Sequence, residues 1–158
     1  MLFGKRKEKK QQDAKKKQTQ KWDPTRNTKR ILLAEDDFGS RRTLDTLLSQ
    51  YGSCDVMMDG EEAVNAFVMA LEEGDPYVLI CLGTTLPVID GYQVLKEIRS
   101  IEEQNGIVKE NHVKAILIAR QDFEVNANPA SESVCDMVLS KPIAAGQMQA
   151  ALETLGLF

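Results

Sequence analysis

The sequence predicts an α/β protein with a doubly wound, five-stranded parallel sheet that carries helices on both faces. Short apolar runs begin at residues 31, 54, 77, 115 and 137, and the gaps between them leave room for a helix in each. The runs are nearly free of internal polar residues, which is typical of parallel strands that are buried on both faces. Any functional site of such a fold is expected at the carboxyl ends of the strands.

The elements follow in order along the chain. Strands are expected over residues 31–34, 54–58, 77–82, 115–119 and 137–139. Apolar residues recur at helical spacing after the first, second, third and fifth strands: Leu44, Leu47 and Leu48; Ala63, Phe67 and Ala70; Val94, Leu95 and Ile98; Met148, Ala151 and Leu152. The helix after the third strand also has a start signal, because Asp90 can cap it while Gln93 reaches back.

The charge pattern divides the chain into a tail, residues 1–27, and a domain, residues 28–158. The tail has ten Lys or Arg and three acids (+7), and the domain has ten basic and 21 acidic residues (−11). With few apolar residues beyond Leu2, Phe3 and Trp22, the tail is expected to be disordered. It could be a solvated extension, bind nucleic acid or an anionic membrane, or fold back on its own acidic domain.

Composition excludes several other classes of protein. Hydrophobic residues make up 42% of the chain and charged residues 28%, as in globular proteins. No apolar run approaches the ~20 residues that span a bilayer, and no signal peptide follows the basic start, so a cytoplasmic protein is expected. Cys54, Cys81 and Cys135 lack paired spacing and are expected to be buried thiols. The single histidine, His112, has no partner at metal-ligand spacing.

Polar residues gather where the predicted strands end. Glu35, Asp36 and Asp37 follow the first strand; Gly83, Thr84 and Thr85 the third; Arg120 the fourth; and Lys141 the fifth. An acidic pair at a strand end can bind Mg²⁺, which prefers carboxylate oxygens. The same acids could instead form an ordinary helix start that pairs with Lys141. The residue types alone leave both interpretations open.

Three segments carry a resemblance to a known family. "ILLAEDD", "YVLICLGTTLPVIDGYQVLKEIR" and "CDMVLSKPI" resemble the signature segments of the response-regulator receiver domain of bacterial two-component signalling. The resemblance runs from about Lys29 to Leu157 and includes the spacing between segments. It implies a flavodoxin-like strand order 2-1-3-4-5, like that of chemotaxis response regulators.

The resemblance also implies roles for residues at the strand ends. The family's Mg²⁺-binding acids correspond to Glu35 and Asp36, with Thr85 contributing in the loop. The lysine that contacts the phosphoryl group corresponds to Lys141, and Pro142 resembles the family's cis proline. The phosphoacceptor aspartate lies four residues before the loop proline, and counting back from Pro87 reaches Gly83.

Several positions depart from the family pattern. Glycine has no nucleophile, and its lack of a carboxylate should leave Mg²⁺ binding possible but weak. The switch Ser or Thr corresponds to Ala119, and the aromatic residue of the fifth strand corresponds to Val138. Pro129 and its neighbours should shorten or break the helix after the fourth strand.

These departures favour a degenerate pseudo-receiver that acts in a phosphorelay as a protein-interaction module and has no enzymatic activity. Because the chain stops at Phe158 without an output domain, its effect is expected to pass through a protein partner, such as a histidine kinase or chemotaxis-type component. One alternative is a working response regulator with a displaced acceptor, Asp36 or Asp37. Another is a tether that binds nucleic acid or an anionic membrane through the basic tail.

Overall fold

The computed structural model describes residues 29–120 and 134–158. The tail and the expected break near Pro129 lie outside these residues, so both stay predictions. The described elements are β1 (Arg30–Ala34), α1 (Phe38–Leu48), β2 (Ser53–Met57), α2 (Gly60–Glu72), β3 (Leu79–Gly83), α3 (Gly91–Gln104), a short 3₁₀ helix (Lys109–Asn111), β4 (Lys114–Ala119), β5 (Met137–Ser140) and α4 (Ala145–Thr154).

The five strands form one parallel sheet in the order β2-β1-β3-β4-β5. Side chains alternate between the two faces, so each face has its own buried cluster. Phe67 of α2 and Leu95 of α3 pack on the face that includes Ile80. Leu44 of α1 and Met148 of α4 pack on the opposite face. The predicted fold class and strand order are confirmed.

The apolar runs located the strands but not all of their ends. Met58 was expected in the second strand, yet it follows β2 and is exposed, because the chain there turns toward α2. Tyr77 and Val78 were expected in the third strand, but β3 begins at Leu79. Gly83 closes β3 as a fully buried residue that pairs with Ile118 of β4.

Aspartates cap the first three helices at the carboxyl edge of the sheet. Asp37, Asp59 and Asp90 each accept a hydrogen bond from the backbone N–H three residues later. Such caps typically stabilise a protein by about 1 kcal/mol each. The capping box predicted for Asp90 and Gln93 is confirmed. The caps fix the loops that surround the strand ends.

Helix α3 starts in direct contact with the end of β3. A Cβ at Gly91 would lie 2.0 Å from the carbonyl oxygen of Gly83, so this approach requires glycine. The Gly91 N–H also donates to the Thr84 carbonyl oxygen at 3.2 Å. The loop between β3 and α3 is therefore held at both of its ends.

Cys54, Cys81 and Cys135 form no disulfide, and only Cys81 is buried; Cys54 and Cys135 are half-buried, which corrects the expectation for these two. His112 faces the backbone, with Nε2 3.0 Å from the Ile107 carbonyl oxygen. Within residues 29–120 and 134–158, the helices are all too short or too polar to cross a membrane.

Candidate functional site

A cleft of ≈ 440 Å³ opens at the carboxyl edge of the sheet, where the sequence predicted a site. The ends of β1, β3, β4 and β5 bring its lining residues together: Glu35, Asp36, Asp37, Phe38, Ser40, Gly83, Thr84, Thr85, Ile118, Arg120 and Lys141. Three carboxyl groups and two cationic groups therefore share one small concave surface. This is the arrangement expected at the edge of a doubly wound sheet.

Glu35 is the buried acid of the cleft, with 1% of its surface exposed. Its Oε1 atom lies 2.9 Å from the Lys141 ammonium and accepts a 3.3 Å hydrogen bond from the Asp37 N–H. Its Oε2 atom is buried and has no hydrogen-bond partner among the described residues. Burial raises the pKa of Glu35 above its ordinary value, although the hydrogen bond and charge of Lys141 oppose that shift.

Gly83 leaves the space that the Glu35 carboxyl group occupies. A Cβ at residue 83 would lie 2.6 Å from Oε2 of Glu35 and 3.3 Å from its carboxyl carbon. A side chain at this position would therefore require Glu35 to move. The lack of a side chain at Gly83 and the length of Glu35 are two parts of one packing arrangement.

Asp36 and Asp37 are exposed, unlike Glu35. Oδ2 of Asp37 accepts a 2.9 Å hydrogen bond from the Ser40 N–H as the cap of α1, and this bond lowers the pKa of Asp37. The Arg41 guanidinium donates to the carbonyl oxygens of Glu35 and Asp36, at 3.3 Å each. Asp36 is thus the acid of the cleft whose carboxylate is left facing solvent.

The remaining predicted residues lie on β4 and β5, directly after β5, and in the loop after β3. Ala119 is buried at the end of β4, and its carbonyl oxygen accepts a 2.9 Å hydrogen bond from the Lys141 N–H. The following Lys141–Pro142 peptide bond is cis. Val138 lies in β5 beside Leu117, half-buried and away from the cleft lining. Thr85 is exposed at the cleft.

The sequence reasoning missed three residues that line the cleft: Ile118, Phe38 and Ser40. Ile118 lies in β4, and Phe38 and Ser40 lie in the first turn of α1, directly after the acidic segment. For Phe38 and Ser40, this position after a strand end was the available signal. Phe38 is an unusual lining residue because 67% of its surface is exposed.

The acids after β1 are the candidate ligands of the cleft for a divalent cation. No three His, Cys, Asp or Glu side chains within the described parts of the chain form a group suited to a metal ion. One oxygen of Glu35 is engaged by Lys141, and the other is buried against Gly83. The exposed candidates are the Asp36 side chain and oxygens of Thr85. Mg²⁺ would need water for most of its remaining ligands.

The chemistry available at the end of β3 is limited by the same arrangement. Gly83 supplies no nucleophile, and Oε2 of Glu35 is buried. The exposed carboxylates belong to the loop after β1. The hydroxyl groups of Ser40, Thr84 and Thr85 also line the cleft, and that of Ser40 hydrogen-bonds to the Asp37 carboxylate.

Fold and cleft together define a flavodoxin-like α/β domain whose site combines acids after β1 with a lysine after β5. Its described structure superimposes on a CheY-like response regulator receiver domain from Methylobacillus flagellatus with a TM-score of 0.64 and 21% identity, covering 82% of this chain and 99% of that one. A receiver domain of a sensor histidine kinase from Pseudomonas aeruginosa PAO1, which has magnesium in its active-site cleft, matches with a TM-score of 0.60 and 24% identity. That match covers 80% of this chain and 96% of the other.

A third similar structure is a receiver domain in a complex. The receiver domain of the Saccharomyces cerevisiae response regulator Ssk1, crystallised with the histidine phosphotransfer protein Ypd1, matches with a TM-score of 0.60 and 26% identity. The match covers 78% of this chain and 86% of that chain.

Sequence relatives agree with the structural likeness. The transcriptional regulatory protein QseB of Haemophilus influenzae is 32% identical over 127 residues, which are 80% of this chain and 52% of QseB. The probable transcriptional regulator ycf27 of Cyanophora paradoxa is 29% identical over 130 residues, which are 82% of this chain and 48% of that protein. The chain thus spans about half the length of these two relatives.

The model of the response regulator receiver domain family matches residues 31–153. The chain belongs to this family, which places it in two-component signalling.

Proposed function

We propose that this receiver domain acts as a protein-interaction module whose function does not depend on aspartyl phosphorylation. The observation that carries the proposal is the position of Glu35, whose carboxyl group fills the space beside Gly83 and pairs with Lys141. In the family pattern that lysine contacts a phosphoryl group, and here an internal carboxylate satisfies it. The site holds one charge-compensated arrangement without any ligand.

Three further features support the proposal. Gly83 stands at the position of the family's phosphoacceptor, and Ala119 has no hydroxyl group that could follow a phosphoryl group. The donor set of the cleft favours weak Mg²⁺ binding at most, since Glu35 is occupied and Asp36 stands nearly alone. The domain therefore lacks the nucleophile and the tight metal site that phosphoryl transfer requires, and we infer no enzymatic activity.

The partner proposed for this module is a signalling protein of the same system. The receiver domain of Ssk1 was crystallised with a histidine phosphotransfer protein, so a histidine-containing partner is the first class to test. Binding without phosphoryl transfer would allow this domain to compete with phosphorylatable receivers for such a partner. This role requires the surface of the receiver domain that binds the partner, but it does not require a phosphoacceptor residue.

Intact mass measurement after incubation with acetyl phosphate and Mg²⁺ tests the proposal. The native chain should gain no phosphoryl group. Because a side chain at residue 83 displaces Glu35, Gly83→Asp alone should label poorly, whereas Glu35→Asp with Gly83→Asp should label more. A labelled native chain would overturn the proposal, and mapping the label to Asp36 or Asp37 would identify a displaced acceptor.

A second measurement tests whether Mg²⁺ binding at the cleft is weak. Thermal melting in a Mg²⁺ series should leave the native chain nearly unchanged in the low millimolar range, since a ligand stabilises only when its concentration exceeds its Kd. The double variant should gain stability over the same range, because it restores a carboxylate at residue 83. Strong stabilisation of the native chain would contradict the proposed weak site.

A further inference from the structure

Three large apolar side chains are exposed together at the carboxyl edge of the sheet. Phe38, Met58 and Val88 have 67%, 56% and 71% of their surfaces exposed; Phe38 begins α1, and Met58 and Val88 lie in the loops after β2 and β3. Backbone hydrogen bonds join these loops: the Glu35 N–H donates to the Met57 carbonyl, and the Gly60 N–H donates to the Pro87 carbonyl, at 3.2 Å each. Scattered apolar residues are ordinary on a surface, but a cluster marks an interaction site.

The loops that carry this cluster are strongly acidic. Segments 35–38, 58–62 and 84–91 contain seven Asp or Glu and no Lys or Arg. Glu35 alone among these acids is buried. We call Phe38, Met58 and Val88, with the acids of these three segments, the loop surface. Its composition suits an occupant that combines positive charge with apolar anchors.

Contacts within the domain show that a cation fits against the loop surface. The Arg41 guanidinium lies 5.5 Å from the centroid of the Phe38 ring, within the range of a cation–π interaction. Arg41 also donates to the backbone beside Phe38. Arg120 and Lys141 line the cleft but are outside these three segments, and the charge of Lys141 is compensated by Glu35. The loop surface thus keeps its negative balance.

Residues 1–27 of this chain match those requirements. The segment has ten Lys or Arg against three acids, and it contains the apolar residues Leu2, Phe3 and Trp22. It joins the domain at the amino end of β1, whereas the loop surface lies at the carboxyl end of the sheet. β1 is five residues long, about 17 Å, and 27 residues can extend to about 90 Å, so length does not prevent the contact.

We propose that the loop surface binds the basic segment 1–27 of this chain. The acidic loops attract the lysines, and the exposed side chains of Phe38, Met58 and Val88 contact the apolar residues of the segment. A partner that uses the loop surface must then displace the segment, which makes it an internal competitor.

Backbone amide NMR of the full chain tests this contact. Lys16→Gln with Lys17→Gln removes two charges from the segment, and Lys96→Gln with Lys109→Gln removes two exposed charges from the domain as a control. The first variant should shift amides within residues 36–38, 58–62 and 85–90, and added salt should reproduce those shifts in the native chain. Shifts absent from these segments would overturn the proposal.

A second set of variants changes the loop surface, and NMR follows the amides of residues 1–27. Met58→Ser with Val88→Ser should shift amides of residues 1–27, while Met69→Ser, which alters an exposed methionine of α2, should leave them unchanged. Shifts that survive dilution support binding of the segment to its own domain, whereas shifts that fade on dilution indicate a second copy and would overturn the internal contact. If Met58→Ser with Val88→Ser shifts the amides of residues 1–27 no more than Met69→Ser does, the contact is refuted. The segment would then be free to bind another anionic partner.

Discussion

The Oε1 atom of Glu35 lies 2.9 Å from the ammonium of Lys141, while Oε2 of the same carboxyl group contacts no hydrogen-bond donor in the described structure. Glu35 is 1% exposed and Lys141 is partly exposed, so a single ion pair compensates a buried charge. A buried pair of this kind adds little net stability, but breaking it is costly.

Lys141→Met should destabilise the fold by about 3 kcal/mol at pH 7.5, because it leaves Glu35 buried without its cation. The loss should be smaller at pH 5, where Glu35 can take up a proton instead. Urea unfolding at both pH values measures the difference. Lys109→Met, which changes an exposed lysine of the 3₁₀ helix, serves as the control and should cost little. Equal losses for the two variants would contradict the assigned role of the ion pair.

Glu35→Gln should remove a pH dependence from the stability of the fold. The pKa of Glu35 is raised in the folded state, so above the ordinary value of 4.5 the folded chain retains a proton that the unfolded chain has released. Native stability therefore falls as pH rises from 4.5 through the folded pKa. The stability of Glu35→Gln relative to the native chain should rise over that window in urea titrations. A flat difference would show that Glu35 titrates normally.

Gly83→Ala should destabilise the fold by about 1–2 kcal/mol, because its methyl group would overlap Oε2 of Glu35. Gly146→Ala is a matched control: a Cβ there meets no atom within 4 Å, and the residue lies in α4. That substitution should stabilise by about 0.5–1 kcal/mol through helix propensity. Adding Glu35→Asp to Gly83→Ala should recover part of the loss. If urea unfolding shows Gly83→Ala to be more stable than Gly146→Ala, the proposed overlap is excluded.

Val88→Gly should stabilise the fold by about 0.5–1 kcal/mol. Val88 has a φ of +72°, which strains a β-branched residue by about 1–3 kcal/mol, and glycine relieves this strain at some cost in backbone entropy. Val108 is also exposed but has an ordinary φ of −65°. Val108→Gly should therefore destabilise by about 0.5–1 kcal/mol. Thermal melting of both variants should give shifts of opposite sign.

Hydrophobic pattern was sufficient to predict the sheet and its helices, because each strand of a parallel sheet is buried on both faces. It failed at strand ends, where Met58 is apolar but lies in a turn, and Gly83 belongs to a strand although it has no side chain to indicate this. The hydrophobic pattern also did not predict that Glu102 is buried. This acid is 1% exposed and accepts hydrogen bonds from Arg99 and from the Val113 N–H. Its spacing of four residues from Ile98 was the available signal.

The composition of the candidate site was predictable, but its geometry was not. Strand ends identified Glu35, Asp36, Gly83, Thr85 and Lys141 as neighbours, and the cleft includes all five. The sequence suggested that Lys141 could pair with both acids, whereas the described ion pair involves Glu35 alone. The direction of the Glu35 side chain depends on space left 48 positions away in the chain, at Gly83. Such a long-range packing relation has no local sequence signature.

Because Glu35 fills the volume beside Gly83, the side chains tolerated at residues 35 and 83 depend on each other. A change at residue 83 that introduces a side chain meets an occupied volume, and a shortened residue 35 by itself leaves a void and a weakened ion pair. Each single step toward an aspartate at residue 83 thus passes through a less stable protein. The present arrangement therefore resists single substitutions at residues 35 and 83.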